Sequence, residues 1–127
     1  MAVKTRAPEV VEKGTVIKRS KLNMVEQTRK ELGLSQEIFA RLIGVSSRSI
    51  SGWERGAAIN EVSARRVKEM NRLAIELKKV MRPEFIRDWL VNPIEDLGGI
   101  SPLETVERGE NDRLWRTVFH LGSGIPI

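Results

Sequence analysis

The sequence predicts an all-α protein built in two helical parts, and three observations carry that expectation. Apolar residues recur at helical spacing in Ser35–Ile43, Glu61–Met81 and Asn111–Leu121. Start signals recur along the chain, with Ser35, Ser46, Asn92-Pro93 and Ser101-Pro102 where an N-cap is expected. Glycines stand where helices should stop, at Gly33, Gly44, Gly98-Gly99 and Gly122. The expected organisation is an arm over residues 1–20, a first part over 21–81 and a second over 82–127.

Residues 1–20 hold Pro8, Gly14 and scattered charges without a sustained period, so a flexible arm is expected. Brief extended pieces fit at Val10–Val11 and Thr15–Ile17. Asn23 with Glu26 three residues on has the form of a capping box for a first helix ending at Gly33. Thr28 falls on its inner face, where an aliphatic side chain would pack better. In the next helix Ser35 is the cap, Glu37 suits the positive end of the dipole, and Ile38, Phe39, Leu42 and Ile43 point inward. Gly44 supplies the left-handed residue that ends it, and Val45 plugs the angle between helices. Ser46 caps a further helix to about Trp53, with Ile50 and Trp53 inward and Ser47, Arg48, Ser51 and Gly52 outward. Two short helices joined by a glycine turn have the layout of a helix-turn-helix, whose second helix enters the DNA major groove.

These residues resemble the Xre/Cro/C1-type helix-turn-helix family. The resemblance is carried by Leu34, Ser35, Gln36, Glu37, Ala40, Gly44, Val45, Ser46, Ile50, Ser51, Trp53, Glu54, Arg55 and Gly56. One position departs from it: Gly52 stands where relatives often carry Arg or Lys, which removes a phosphate or base contact. The expected DNA-contacting set is Gln36, Ser46, Ser47, Arg48, Ser51 and Arg55. Arg48 can fork onto guanine O6 and N7, while Ser47 and Ser51 reach bases or phosphates. Gln36 is placed for a phosphate or base contact, as the matching glutamine often is in the family. Arg55 serves equally to pair an acidic neighbour, and Arg41 reads as a generic charge.

Glu61–Met81 reads as a long helix that buries Val62, Val67, Met70, Leu73, Ala74, Leu77 and Val80 or Met81. Pro83 interrupts the pattern and marks the boundary, since it cannot donate the hydrogen bond of an interior helical residue. Beyond it, Asn92-Pro93-Ile94-Glu95 and Ser101-Pro102-Leu103-Glu104 both read as N-cap, proline at N1 and a glutamate reaching back to the cap. A last helix from Asn111 to about Leu121 is expected to bury Leu114, Trp115, Val118 and Phe119 or Leu121. Gly122-Ser123-Gly124 then ends it, followed by the apolar run Ile125-Pro126-Ile127. Glu104, Glu107 and Glu110 read as a solvated face.

This second part resembles the toxin-binding domain of Xre/MbcA/ParS-type antitoxins, through Trp89-Leu90, Asn92-Pro93, Leu97-Gly98-Gly99, Ser101-Pro102-Leu103 and Leu121-Gly122. The resemblance implies an antitoxin that masks a RES-family, NAD⁺-consuming toxin and represses their shared operon. Leu121, Gly122, Ser123, Gly124, Ile125, Pro126 and Ile127 are then the toxin-binding run, plugging the substrate cleft by occupation rather than by chemistry. The first part is expected to bind an inverted-repeat operator as a homodimer. A plain phage-type repressor, its second half serving only oligomerisation, is the rival reading.

Charge supports two partners. The net charge is +5. Residues 1–82 carry 18 Lys and Arg against 9 Asp and Glu, whereas residues 83–127 carry 4 against 8. A basic first part suits a polyanion, because phosphate neutralisation releases counterions. No cysteine is present, so disulfides and thiolate metal sites are excluded. His120 is the only histidine and is expected to cap carbonyls at a helix end. No glycine loop matches a phosphate-binding fingerprint, and neither catalysis, a metal nor a cofactor is expected. With no signal-peptide core and no apolar run near the ~20 residues that span a bilayer, a soluble cytoplasmic protein without membrane contact is expected.

Overall fold

The computed structural model describes residues 24–123, and within them the expected all-α architecture is observed. Helix α1 occupies residues 24–31, followed by α2 (Gln36–Ile43), α3 (Ser47–Glu54) and α4 (Glu61–Val80). After them come α5 (Pro83–Val91), a 3-10 turn (Glu95–Leu97), α6 (Pro102–Glu107) and α7 (Asn111–Ser123). The expected arm over residues 1–20, and Asn23 as a cap, lie outside the described residues.

Local chemistry explains most boundaries. The Ser35 side chain accepts from the Ile38 N–H at 3.2 Å, the Asn60 side chain from Ser63 at 2.8 Å and the Ser101 side chain from Glu104 at 3.0 Å. Each satisfies a backbone donor that the first helical turn leaves orphaned. Pro83 and Pro102 stand in the first turns of α5 and α6, where the missing N–H costs nothing. Thr28, on the inner face of α1, is fully buried, and its hydroxyl meets Asn71 Oδ1 at 3.3 Å. That bond is why a polar residue is tolerated there.

Among the described residues one hydrophobic cluster links the helices. Phe39, Ile43, Ile50, Leu73 and Leu77 pack with Ile86, Leu90, Leu103, Leu114 and Val118, so residues on both sides of Pro83 contribute to it. The long helix α4 packs against α2, α5 and α7, while α6 packs against α2, α5 and α7. The Glu69 carboxylate pins α7 to α4, accepting from Trp115 Nε1 at 2.9 Å and from Asn111 Nδ2 at 3.3 Å.

Several expectations are corrected. Asn92-Pro93 does not start a helix: Asn92 caps the end of α5, and Ile94 is extended in an antiparallel bridge with Ile100. The Ile94 N–H donates to Ile100 O at 3.1 Å and Ile94 O accepts from Gly99 N at 3.0 Å, which leaves room only for a 3-10 turn. Glu104 does not reach back to its cap; it pairs with Arg108 at 2.8 Å, one helical turn on. Glu107 is not merely solvated, because both its oxygens receive Arg41 at 2.8 Å across the α2–α6 contact. Val62 is 50% exposed, and Ser63 takes the buried place in that turn. Ile38 is only half-buried. Phe119 is 72% exposed and Leu121 is also exposed, so neither joins the core; Thr117 is buried instead. Helix α7 continues through Gly122 to Ser123, because Gly122 keeps a negative, helical φ rather than the left-handed conformation that would end the helix.

Candidate nucleic-acid interface

The α2–turn–α3 unit is held by three polar devices, each traceable to a residue type. Gly44 adopts φ 88°, which only glycine accepts without strain, and its N–H donates to Ala40 O at 2.7 Å. Arg66 of α4 sends Nη1 to Ile43 O at 3.0 Å, closing an orphan carbonyl at the end of α2. Ser46 Oγ accepts from the Ser49 N–H at 3.1 Å and lies 3.1 Å from Ser49 Oγ, so α3 starts at a fixed angle to α2. Ile50 and Trp53 are buried as expected and root α3 in the core.

Beneath α3 lies a charge network that sequence reasoning missed. Arg29 forks onto Glu54, with Nε at 2.7 Å from Oε2 and Nη2 at 2.9 Å from Oε1, and its Nη1 also reaches Leu34 O at 3.1 Å. Gln36 Nε2 donates to the same Glu54 Oε1 at 3.0 Å. The Glu54 side chain is only 8% exposed. Burial pushes its carboxyl pKa up, but the Arg29 and Gln36 hydrogen bonds and the Arg29 charge outweigh that and hold it below the usual carboxylate range. The Glu54 hydrogen bond in turn raises the Arg29 pKa. Glu54 was visible as part of the family motif, but Arg29 stands 25 positions away on another helix. Only packing brings the two together.

The six expected DNA-contacting residues divide by their surroundings. Ser46, Ser47, Arg48 and Arg55 are exposed, and Gln36 and Ser51 are half-buried. Arg55 Nη1 donates to Ser51 Oγ one turn back, so its partner is a hydroxyl rather than an acid. Gln36 is oriented by Glu54 and Ser46 by its capping bond. Arg48 and Ser47 stand on the first turn of α3, directed to solvent.

At the other end of the molecule, Leu121, Gly122 and Ser123 form the exposed end of α7; Gly124, Ile125, Pro126 and Ile127 lie outside the described residues. Ser123 Oγ donates to His120 O at 3.0 Å. Beside this end a groove of about 850 Å³ runs between α4 and α7, with Val80, Trp115, Val118 and Phe119 among its walls. Arg72 lies 5.2 Å over the Trp115 ring, a cation–π distance. Among the described residues no group of three His, Cys, Asp or Glu is placed to hold a metal, and no helix is long and apolar enough to cross a membrane.

Comparison with known proteins agrees with this geometry. Residues 25–73 match the helix-turn-helix family. The fold is similar to that of a chain in the crystal structure of the M. tuberculosis MbcT–MbcA toxin–antitoxin complex, with a TM-score of 0.71 and 22% identity. That match covers 84% of this chain and 96% of the other. No curated protein matches the sequence significantly.

Proposed function

We propose that this chain, whose residues 25–73 are a helix-turn-helix domain, is the antitoxin of a type II toxin–antitoxin pair that also represses its own operon. The observation that carries this reading is the pairing of a DNA-reading module with a fold that, over 84% of the chain, resembles one from a toxin–antitoxin complex. Two functional parts divide near Pro83. Residues 21–81 bind DNA and residues 82–127 bind the toxin, in keeping with the basic and acidic halves.

On the DNA face, Arg48 reads a guanine edge, while Gln36, Ser46, Ser47, Ser51 and Arg55 hold phosphates and neighbouring bases. The rigid seating of α3 supports this, because readout requires side chains held at fixed positions over the groove. One module of this size buries too little surface for a high specificity ratio, so two copies bind an inverted repeat. On the partner face, Leu121, Gly122, Ser123, Gly124, Ile125, Pro126 and Ile127 enter the active-site cleft of a RES-family toxin and exclude NAD⁺ by filling it. The protein itself needs no cofactor, performs no catalysis and works in the cytoplasm.

Two measurements test the reading. Arg48→Ala should lower affinity for the operator by roughly 5–150-fold, the equivalent of about 1–3 kcal/mol, with far less effect on random duplex. Equal weakening on both makes Arg48 a phosphate contact. Co-expression with the product of the adjacent reading frame should give a stable complex and rescue growth. If the chain binds its promoter but neither captures nor neutralises that product, it is a plain repressor.

A further inference from the structure

The face shared by α4 and α7 leaves apolar surface open to water. Phe119 is 72% exposed one turn after the half-buried Trp115, and both line the groove between the two helices. Ile75 is 44% exposed and shares the outer face of α4 with Arg72 and Lys79, three residues before it and four after. The charges around these groups alternate in sign. Arg72, Glu76 and Lys79 follow one another on the α4 side, and Asp112 is followed by Arg116 on the α7 side. Apolar groups inside a charged rim are the anatomy of an interface.

We propose that this face is where two copies of the chain meet, related by a two-fold axis that crosses α4 and α7 at right angles in the plane between them. Such an axis lays each helix antiparallel on its own counterpart, α4 on α4 and α7 on α7. Setting Arg72 opposite the partner's Glu76 puts the axis at position 74 of α4. Setting Trp115 opposite the partner's Phe119, an aromatic pair, puts it at position 117 of α7. The two choices coincide. The helices run in the same direction, and the contacts between them join residues 42 or 43 positions apart: Arg72 over Trp115, Val80 beside Gly122, and Glu69 accepting from Asn111. One axis therefore makes both pairings at once.

The same axis brings Lys79, five positions beyond it on α4, level with the partner's Asp112, five positions before it on α7. Lys79 thus exchanges its own Glu76, 3.1 Å away, for an acid on the other copy, while Glu76 takes the partner's Arg72. Ile75 lies one position from the axis and meets its counterpart. Arg116 is the rim charge that this register leaves without an acid opposite. A face whose charges complement themselves under one rotation suits a second copy of the chain better than a partner of single sign. The two α4 starts, each just after an α3, come to stand roughly 39 Å apart along the helices. That is close to the ~34–36 Å between half-sites one DNA turn apart. Use of the contact on an inverted repeat rests on the functional reading above; the contact itself is a property of the chain alone.

Sedimentation equilibrium of the full chain, with neither DNA nor toxin present, tests it. The wild type should be a dimer at low salt and should dissociate as salt is raised. Arg72→Glu sets like charges face to face on both sides of the axis and should weaken the dimer at least about tenfold, and Glu76→Arg should do the same with the opposite sign. Mixing the two variants should restore a one-to-one heterodimer, since each then meets its opposite charge twice. Unchanged helical circular dichroism checks that both variants fold. A wild type that stays monomeric overturns the proposal and leaves operator binding and toxin capture, measured separately, standing; toxin capture lost with Phe119→Ser would then assign the groove to the toxin. Variants that pair as tightly as the wild type overturn it by moving the contact to another face. A mixture that stays monomeric overturns it as well, because the antiparallel register requires the rescue.

Discussion

Replacing Glu54 by alanine strips three hydrogen bonds at once and leaves the Arg29 guanidinium without its carboxylate. The carboxylate accepts from Arg29 at 2.7 and 2.9 Å and from Gln36 at 3.0 Å. The two charged side chains are 15% and 8% exposed, so solvent replaces little of what is lost. Breaking a buried pair by removing one partner costs about 3–5 kcal/mol. Arg29 keeps its bond to Leu34 O, which puts the expected loss at the lower end, about 3 kcal/mol. For a chain of this size that corresponds to roughly 10–20 °C in Tm. Urea titration followed by helical circular dichroism measures it directly. A loss below about 1 kcal/mol would rank the pair with ordinary surface ion pairs and refute the assigned burial. The pH dependence supplies a second check. Since the folded carboxyl has a lowered pKa, its contribution is complete above the unfolded value near ~4.3 and disappears as pH falls through the lower folded value. Glu54→Gln should therefore show a flatter loss of stability than the wild type in that acid window.

The Arg41–Glu107 fork offers the contrasting case. It joins α2 to α6 at 2.8 Å but its arginine is largely exposed, so Arg41→Ala should cost no more than about 1 kcal/mol, and that loss should shrink in high salt. A salt-independent loss of several kcal/mol would show the bridge to be desolvated. Gly52→Ala should stabilise the protein by about 0.5–1 kcal/mol, because the residue is helical and its new Cβ would meet only Ala57 at an ordinary 3.7 Å. Destabilisation in the melt would mean that α3 depends on the missing side chain. Phe119→Ser should leave stability within about 0.5 kcal/mol, as expected for an exposed position. The same substitution should weaken partner capture in a pull-down, and a large drop in Tm would instead return Phe119 to the core.

Elements with local causes were legible in the chain itself. Ser35, Gly44, Ser46 and Ser101-Pro102 state where helices start or stop through bonds made within a few residues, and the structure has each of them in that role. Most of the inward faces of α2, α3 and α4 followed from spacing for the same reason, Ile38 and Val62 being the exceptions. Asn92-Pro93 misled because an identical local signal loses to a bridge between Ile94 and Ile100. Phe119 misled because periodicity reports which residues share a face, and α7 has more apolar face than α4 covers.

On the DNA side, exposure of Ser47 and Arg48 was readable, since it depends only on Ile50 and Trp53 turning inward. The coupling of Gln36 and Glu54 to Arg29 was not. Helix periods and caps act over three or four residues, so the primary chain by itself determined an all-helical protein with its turn chemistry and charge asymmetry. Which carboxylate meets which guanidinium, and which aromatic ring stays in water, depends on how separate helices pack. That was decided only in three dimensions, where burial sets the strength of each charge and the supply of neighbouring surface runs out.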